Sequence, residues 1–232
     1  PLALIDFLRE RCGLGPETTV ADLGSGTGIF SKLLLDFGAT VYGIEPNDEM
    51  RAASEELLTE YDRFQAIKGS SEAIPLAGQS VDLVTAAQSF HWFNPDPAGR
   101  EFRRVLRPGG WAVIIWNRRL KTENAFLQQL EELLQTFGTD YAEVDHDRLT
   151  DKQLGDFLGT DSYMSFRAPN TQTLDFDGLR GRITSCSYAP APGDEQHEPM
   201  IQRLREIFDE HQEDGTVDVL YETTAHAGKL AI

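Results

Sequence analysis

The sequence predicts an α/β protein built on a doubly wound, mostly parallel open sheet. Three observations carry that prediction. Short apolar segments alternate with amphipathic helical stretches from Leu4 to Phe137. One of those segments, Trp111 to Trp116, is apolar almost throughout, as a strand covered on both faces must be. Three glycines, Gly24, Gly26 and Gly28, fall in five residues between the first strand and the following helix. Glycine there costs chain entropy and adds no packing, so the return must be a tight bend or a close approach to a ligand.

The elements follow in order. Leu4, Ile5, Leu8 and Cys12 share one face of a first helix, which Gly13 stops. Val20–Leu23 reads as the first strand, with a helix over 29–37. Thr40–Ile44 is the second, with a helix over 48–61. Phe64–Lys68 and Val81–Ala87 are the third and fourth. Asn94-Pro95 opens a helix, Asn as cap and Pro in the first turn, where a missing N–H costs nothing. Pro108-Gly109-Gly110 is a turn before the fifth strand. Phe126, Leu127, Leu130, Leu133, Leu134 and Phe137 form one stripe of a strong helix.

After that helix the pattern changes. Tyr163–Phe166 and Thr173–Phe176 read as one interrupted strand. Helices follow over 178–187 and 198–211, separated by Pro190 and Pro192. Val217, Val219, Tyr221, Thr223 and Ala225 alternate along a last strand, which reads as an antiparallel edge strand with one face toward water. The expected organisation is a core over 1–137, a cap or insertion over 138–213 with the sixth strand and substrate-side helices, and a closing strand over 214–232, all in one domain.

Composition narrows the function. The chain has 232 residues and a formal charge of −17, with an isoelectric point near 4.6. Such a surface repels phosphate backbones, so nucleic acid is excluded and a small-molecule substrate is expected. No apolar run approaches the roughly 20 residues of a membrane span. Cys12 and Cys186 have no metal-ligand spacing and read as free thiols in a reducing cytosol, which gives a cytoplasmic expectation. His197 and His211 form no ligand set, and no metal is expected. The chain opens on Pro1 rather than Met, and its natural beginning is expected to lie upstream.

In open α/β sheets the ligand sits outside the carboxyl ends of the strands, which places it at Gly24-Ser25-Gly26-Thr27-Gly28. A dinucleotide fingerprint needs its third glycine at position 29, where this chain has Ile29. The spacing here is G-x-G-x-G, preceded by Asp22. It resembles the first motif of the class I S-adenosylmethionine-dependent methyltransferases. Glu45 at the end of the second strand, Gly69-Ser70-Ser71-Glu72-Ala73-Ile74-Pro75-Leu76, Val81-Asp82-Leu83-Val84 and Arg104-Val105-Leu106-Arg107-Pro108-Gly109-Gly110 agree in order and spacing. Together with Ala87-Gln88-Ser89-Phe90-His91-Trp92-Phe93 they resemble the type 11 methyltransferase group, which includes quinone-biosynthesis and trans-aconitate-like enzymes. The resemblance is specific over residues 18–117.

The resemblance implies a Rossmann-like seven-stranded sheet, S-adenosylmethionine as cofactor, S-adenosylhomocysteine as product, and roles residue by residue. Gly24, Ser25 and Gly26 would face the methionine and ribose parts. Asp22 would orient the loop and the ligand's amino group. Glu45, with Pro46 beside it, would take both ribose hydroxyls. Ser70 stands where many relatives carry Asp against the adenine amino group; the Ser71 amide would face the ring, with Glu72 next to it. Gln88 would lie beside the methionine moiety.

His91 follows the fourth strand, where such enzymes place substrate-side groups, and its titration range suits a general base. Phe90, Trp92 and Phe93 fit a packed aromatic corner as well, and both readings stay open. Arg118 and Arg119 follow the fifth strand, where an Arg would pair with an anionic substrate unless it is simply solvated. The chain lacks the Asn/Asp-Pro-Pro-aromatic run of the amine methyltransferases that act on nucleic acid or protein. That favours O-, C- or N-methylation of a small molecule by a monomer or homodimer. Two alternatives remain at this point: an NAD(P)-dependent oxidoreductase, and a non-catalytic S-adenosylmethionine-binding regulator.

Overall fold

The computed structural model describes residues 1–139, 141, 151–158, 163–186 and 188–230. Seven strands form a sheet in the order β3-β2-β1-β4-β5-β7-β6. They are β1 (Thr19–Leu23), β2 (Thr40–Ile44), β3 (Phe64–Ile67), β4 (Val81–Ala87), β5 (Leu106–Arg119), β6 (Met164–Leu174) and β7 (Val217–Gly228). The helices are α1 (Leu2–Cys12), α2 (Ile29–Asp36), α3 (Asp48–Leu57), α4 (Pro95–Val105), α5 (Ala125–Phe137), α6 (Asp151–Leu158), α7 (Phe176–Thr184) and α8 (His197–His211). None of the described helices is long and apolar enough to cross a membrane.

β1 pairs in parallel with β2 and β4, β2 with β3, and β4 with β5. Strand order reverses at β1, where the first crossover turns from one side of the sheet to the other. That reversal opens a crevice at the carboxyl ends of β1 and β4. The Pro-Gly-Gly turn lies inside β5 as a bulge. Val81 pairs with Leu106 and Leu83 with Trp111, so residues 107–110 loop out, with Gly109 at φ 82°.

β7 runs antiparallel to both its neighbours. Asn117 meets Thr223 while Trp111 meets Lys229 six residues further along the other way. Ser165 meets His226, and Thr173 meets Asp218. The expected edge position of β7 is corrected: β7 lies inside the sheet, and β6 is the edge. Alternation in β7 reports which face is buried, and it carries no information on which neighbour is present. β6, like the other edge strand β3, has no fully buried residue, and it runs unbroken through Pro169, which an edge tolerates. Phe176 begins α7 rather than ending β6, because Asp175 accepts the Gly178 N–H and caps the helix.

The chain divides into two compact units, 1–117 with 149–168 and 223–232, and 118–148 with 169–222. In the first, α1, α2 and α3 cover one sheet face around Leu8, Val20, Leu34 and Val113. α4 and α6 cover the other, around Phe102, Ile114, Phe157 and Leu158. In the second, the α5 stripe packs with α7, α8 and β7 around Leu130, Leu179, Leu204 and Tyr221. α6 has no counterpart in the sequence reading: only Leu154, Phe157 and Leu158 mark it, in a stretch too short to show a period. The expected helix end at Ser187 lies outside the described residues.

Candidate functional site

The site is built from the carboxyl ends of β1, β2 and β4. The glycine loop leaves β1 and is tied back to β2: Gly24 N–H donates to Ile44 O at 2.8 Å, and Ser25 N–H to the same oxygen at 3.3 Å. Gly28, at φ 85°, caps α2 without a side chain. The three glycines serve different neighbours. A Cβ on Gly24 would lie 2.5 Å from the Ser89 Cβ, and one on Gly28 2.9 Å from Leu58 Cδ1. A Cβ on Gly26 would meet nothing within 4 Å. Gly24 and Gly28 are thus required by the fold, whereas Gly26 fronts open space with bare backbone at φ 57°.

Two carboxylates frame the loop. Glu45 is buried; its Oε2 accepts the Gly26 N–H and its Oε1 the Asn47 N–H, both at 2.9 Å. A carboxylate has about four lone-pair sites, so one per oxygen remains for a pair of vicinal hydroxyls. Asn47 caps α3 by accepting from Glu49 and Met50 N–H, which fixes the turn that carries Glu45 and the exposed Pro46. Asp22 is buried beneath the loop. Its Oδ2 accepts from Ser31 Oγ at 2.6 Å and its Oδ1 from Thr85 Oγ1 at 2.8 Å. Burial pushes the Asp22 carboxyl up to about 6, the two hydroxyls pull it down, and the nearby Glu45 charge adds to the rise. Asp22 therefore pins α2 and β4 to β1, and both its oxygens already hold a hydroxyl.

Ser25 Oγ is buried and has no hydrogen-bond partner among the described residues. A buried hydroxyl left unpaired costs about 1–3 kcal/mol. An open cradle at Gly26, a spare hydroxyl at Ser25 and spare lone pairs on Glu45 together fit a ligand that brings a polar chain and a sugar.

The segment after β3 forms a turn in which Ala73 N–H donates to Ser70 O. Ser71 is buried and donates to Glu72 Oε1 at 2.7 Å; the same oxygen accepts the Asn94 N–H at 2.9 Å. Burial raises Glu72, but the bonds from Asn94, Ser71 and Ser70 outweigh it and hold its carboxyl below the usual range. Asn94 was expected to cap α4 with its side chain. It occupies the cap position without a side-chain bond, and its backbone N–H serves Glu72.

Gln88 follows β4 in the left-handed region, φ 59°, and its Nε2 donates to Asn117 O at 3.0 Å. Asn117 Oδ1 in turn accepts from Thr223 Oγ1. His91 lies in the one-turn helix Phe90–Trp92, half-buried, its ring 4.8 Å from that of Trp92. Phe90 is buried against Phe93, Trp116 and Phe157, so the aromatic corner exists. Arg118 pairs with Glu222, and the mostly buried Arg119 bonds Glu131 and Tyr141. Both guanidinium groups thus already hold an acid.

The structure thus joins Gly24, Ser25, Gly26 and Glu45 directly, sets Asp22 under them, and groups Ser70, Ser71 and Glu72 at the start of α4. The sequence reading missed Ser31, Thr85 and Ser89. Ser89 fills the space Gly24 vacates and donates to Leu23 O at 2.6 Å. A hydroxyl inside the apolar run Leu83-Val84-Thr85-Ala86 was the available signal.

Comparison with known proteins gives the same reading. The family profile for a methyltransferase domain matches residues 21–114. An uncharacterised methyltransferase-like protein of Schizosaccharomyces pombe is 26% identical over 208 residues, 89% of this chain and 79% of that one. An uncharacterised methyltransferase of Mycobacterium tuberculosis is 38% identical over 131 residues, 56% of this chain. The chain spans about half the length of that relative, 51%. A solved structure from Anaeromyxobacter dehalogenans, described as a candidate type II methyltransferase, matches with a TM-score of 0.69 and 20% identity. It covers 100% of this chain and 97% of that one. A SAM dependent methyltransferase from Aquifex aeolicus matches with a TM-score of 0.51 and 22% identity, covering 73% of this chain and 82% of that one. None of these separates quinone-biosynthesis from trans-aconitate-like members. Residues 21–114 thus match the methyltransferase-domain profile, and the chain shares the fold of these solved methyltransferases.

Proposed function

We propose that the protein transfers a methyl group to an O, C or N nucleophile of a small molecule by in-line displacement. The observation that carries the reading is the pairing of bare backbone at Gly26 with Glu45, whose two oxygens each keep one acceptor site. When bound, S-adenosylmethionine supplies an intrinsically activated methyl on a sulfonium. The chain's own contribution is then position and exclusion of water. Gly24, Ser25 and Gly26 would hold the methionine part, with Ser25 Oγ gaining a partner. Glu45 would accept the ribose hydroxyls, with Pro46 at its side. Ser70, Ser71 and Glu72 would line the adenine, and Gln88 the methionine end. Asp22 would act beneath them by fixing the loop. His91 would accept the nucleophile's proton where the nucleophile carries one; a carboxylate needs no base. The acidic surface favours a small molecule over nucleic acid. Cytoplasmic location remains part of this proposal.

Calorimetry with S-adenosylmethionine, S-adenosylhomocysteine and NAD tests the cofactor assignment. Micromolar binding of the first two and none of NAD is expected. Transfer of labelled methyl to a metabolite panel tests catalysis; binding without transfer to any acceptor favours the regulatory alternative.

A further inference from the structure

We infer that Glu101 and Arg104 of α4 set the cofactor affinity of this protein without touching the cofactor, by holding the adenine-side segment 70–76 in place. The inference rests on the proposed role of Ser70 and Ser71. The two side chains lie three residues apart on one face of α4 and form a two-pronged pair. Arg104 Nε donates to Glu101 Oε1 at 2.6 Å and Nη2 to Oε2 at 2.7 Å. The guanidinium then reaches across to the segment. Nη2 donates to Ile74 O and Nη1 to Leu76 O, both at 2.7 Å. Glu101 Oε2 accepts the Ile74 N–H at 2.8 Å. Ile74 thus has both backbone groups bound by one ion pair, 27 and 30 residues away in sequence.

The segment needs such support. Its own regular structure is a single isolated bridge, Ser70 to Ala73. Ile74 is buried and Leu76 packs half-buried against the same core, but Ala73 and Pro75 are exposed, so apolar packing anchors only one end of the segment. At the other end Glu72 holds the Asn94 N–H at the start of the same helix. The segment is therefore strung between the first turn and the last turn of α4. Arg104 has a further consequence for geometry: a planar fork with several fixed donors sets two carbonyl directions at once, which a lysine ammonium does not. The backbone amides of 70–73, which would face adenine, inherit their position from that fork.

The test compares two ligands that differ by the base alone. Binding of S-adenosylhomocysteine and of S-ribosylhomocysteine is measured by calorimetry for the wild type, Arg104→Gln, Glu101→Gln and Arg104→Lys, with a thermal melt of each. Arg104→Gln is expected to weaken S-adenosylhomocysteine about tenfold while leaving the adenine-free ligand within about twofold. Arg104→Lys should recover part of the loss, and Glu101→Gln, which keeps an acceptor for Ile74 N–H, should give a smaller loss of the same selectivity. Equal weakening of both ligands, or weakening of neither, overturns the inference and leaves the functional proposal standing. Failure of wild-type protein to bind S-adenosylhomocysteine overturns the functional proposal itself.

Discussion

The glycine loop and the segment 70–76 both follow carboxyl ends of parallel strands, β1 and β3, yet they are held by different means. The loop is tied by backbone bonds to Ile44, by Glu45 within 20 positions, and by packing of Gly24 on Ser89. The segment borrows its order from one helix through charged side chains. Their acids differ in the same way. Asp22 under the loop is buried and raised to about 6. Glu72 in the segment is partly exposed and lowered. The lesson is that neighbouring loops can be held by different means: the glycine loop is cut into the sheet, while the segment 70–76 is strapped to one helix.

The largest effect that breaks this contrast should come from Gly24→Ala. The added Cβ would meet Ser89 Cβ at 2.5 Å and sit at φ 63°. Overpacking and left-handed strain together cost about 3 kcal/mol, a fall of about 10 °C in melting temperature for a chain of this size. Ser89→Gly in the same molecule should return the steric part only. Gly24 substitutions therefore report on folding, and loss of cofactor with them decides nothing.

Asp22→Asn comes next and sharpens the comparison through pH. A carboxyl raised in the folded chain keeps its proton after the unfolded chain has lost one. Its contribution to stability thus falls as pH rises from about 4 to about 6, and is constant above. The fall is on the order of 3 kcal/mol. Urea midpoints of wild type and Asp22→Asn across that window should converge toward acid and separate toward neutral pH, with the wild type relatively weaker at pH 7. Parallel curves would mean that Ser31 and Thr85 fully offset burial.

Gly26→Ala separates ligand from fold. Its Cβ meets nothing within 4 Å, so only the left-handed backbone is penalised, by about 1–2 kcal/mol. Cofactor affinity should nevertheless drop more than tenfold, because the methyl would stand where the ligand approaches. Retained affinity in calorimetry would move the ligand away from the loop.

The sequence made the loop legible and the strap only in outline, for physical reasons. Glycine spacing, the strand before it and the carboxylate at Glu45 are local signals, each written within a few residues. β2 and β4 have the expected bounds, and α1 buries the predicted Leu4, Ile5, Leu8 and Cys12. What was missed is long-range. Thr85 and Ser31 meet at Asp22 from 63 and 9 positions away. Ser89 explains Gly24 from a different strand end, and Arg104 reads as a surface charge until Ile74 and Leu76 are placed beside it. The position of β7 between β5 and β6 was hidden likewise, since alternation along a strand is blind to sheet order.

Glu72→Gln is the smallest change and probes the strap through its acid. The glutamine oxygen keeps an acceptor for Ser71 and Asn94, so only the charge on those bonds is lost. In a partly exposed position that is worth about 0.5–1 kcal/mol. The sign is opposite to that of Asp22. A carboxyl lowered in the folded chain contributes above its unfolded value and loses that contribution as pH falls through the folded one. The gap between wild type and Glu72→Gln should therefore be present at pH 7 and close below about pH 4, where the Asp22→Asn comparison also converges but from the other direction. Urea titrations of the two variants on one pH axis would show curves of opposite slope. Two curves of the same sign would mean that loop and strap share one electrostatic environment, and the contrast drawn from their supports would not hold.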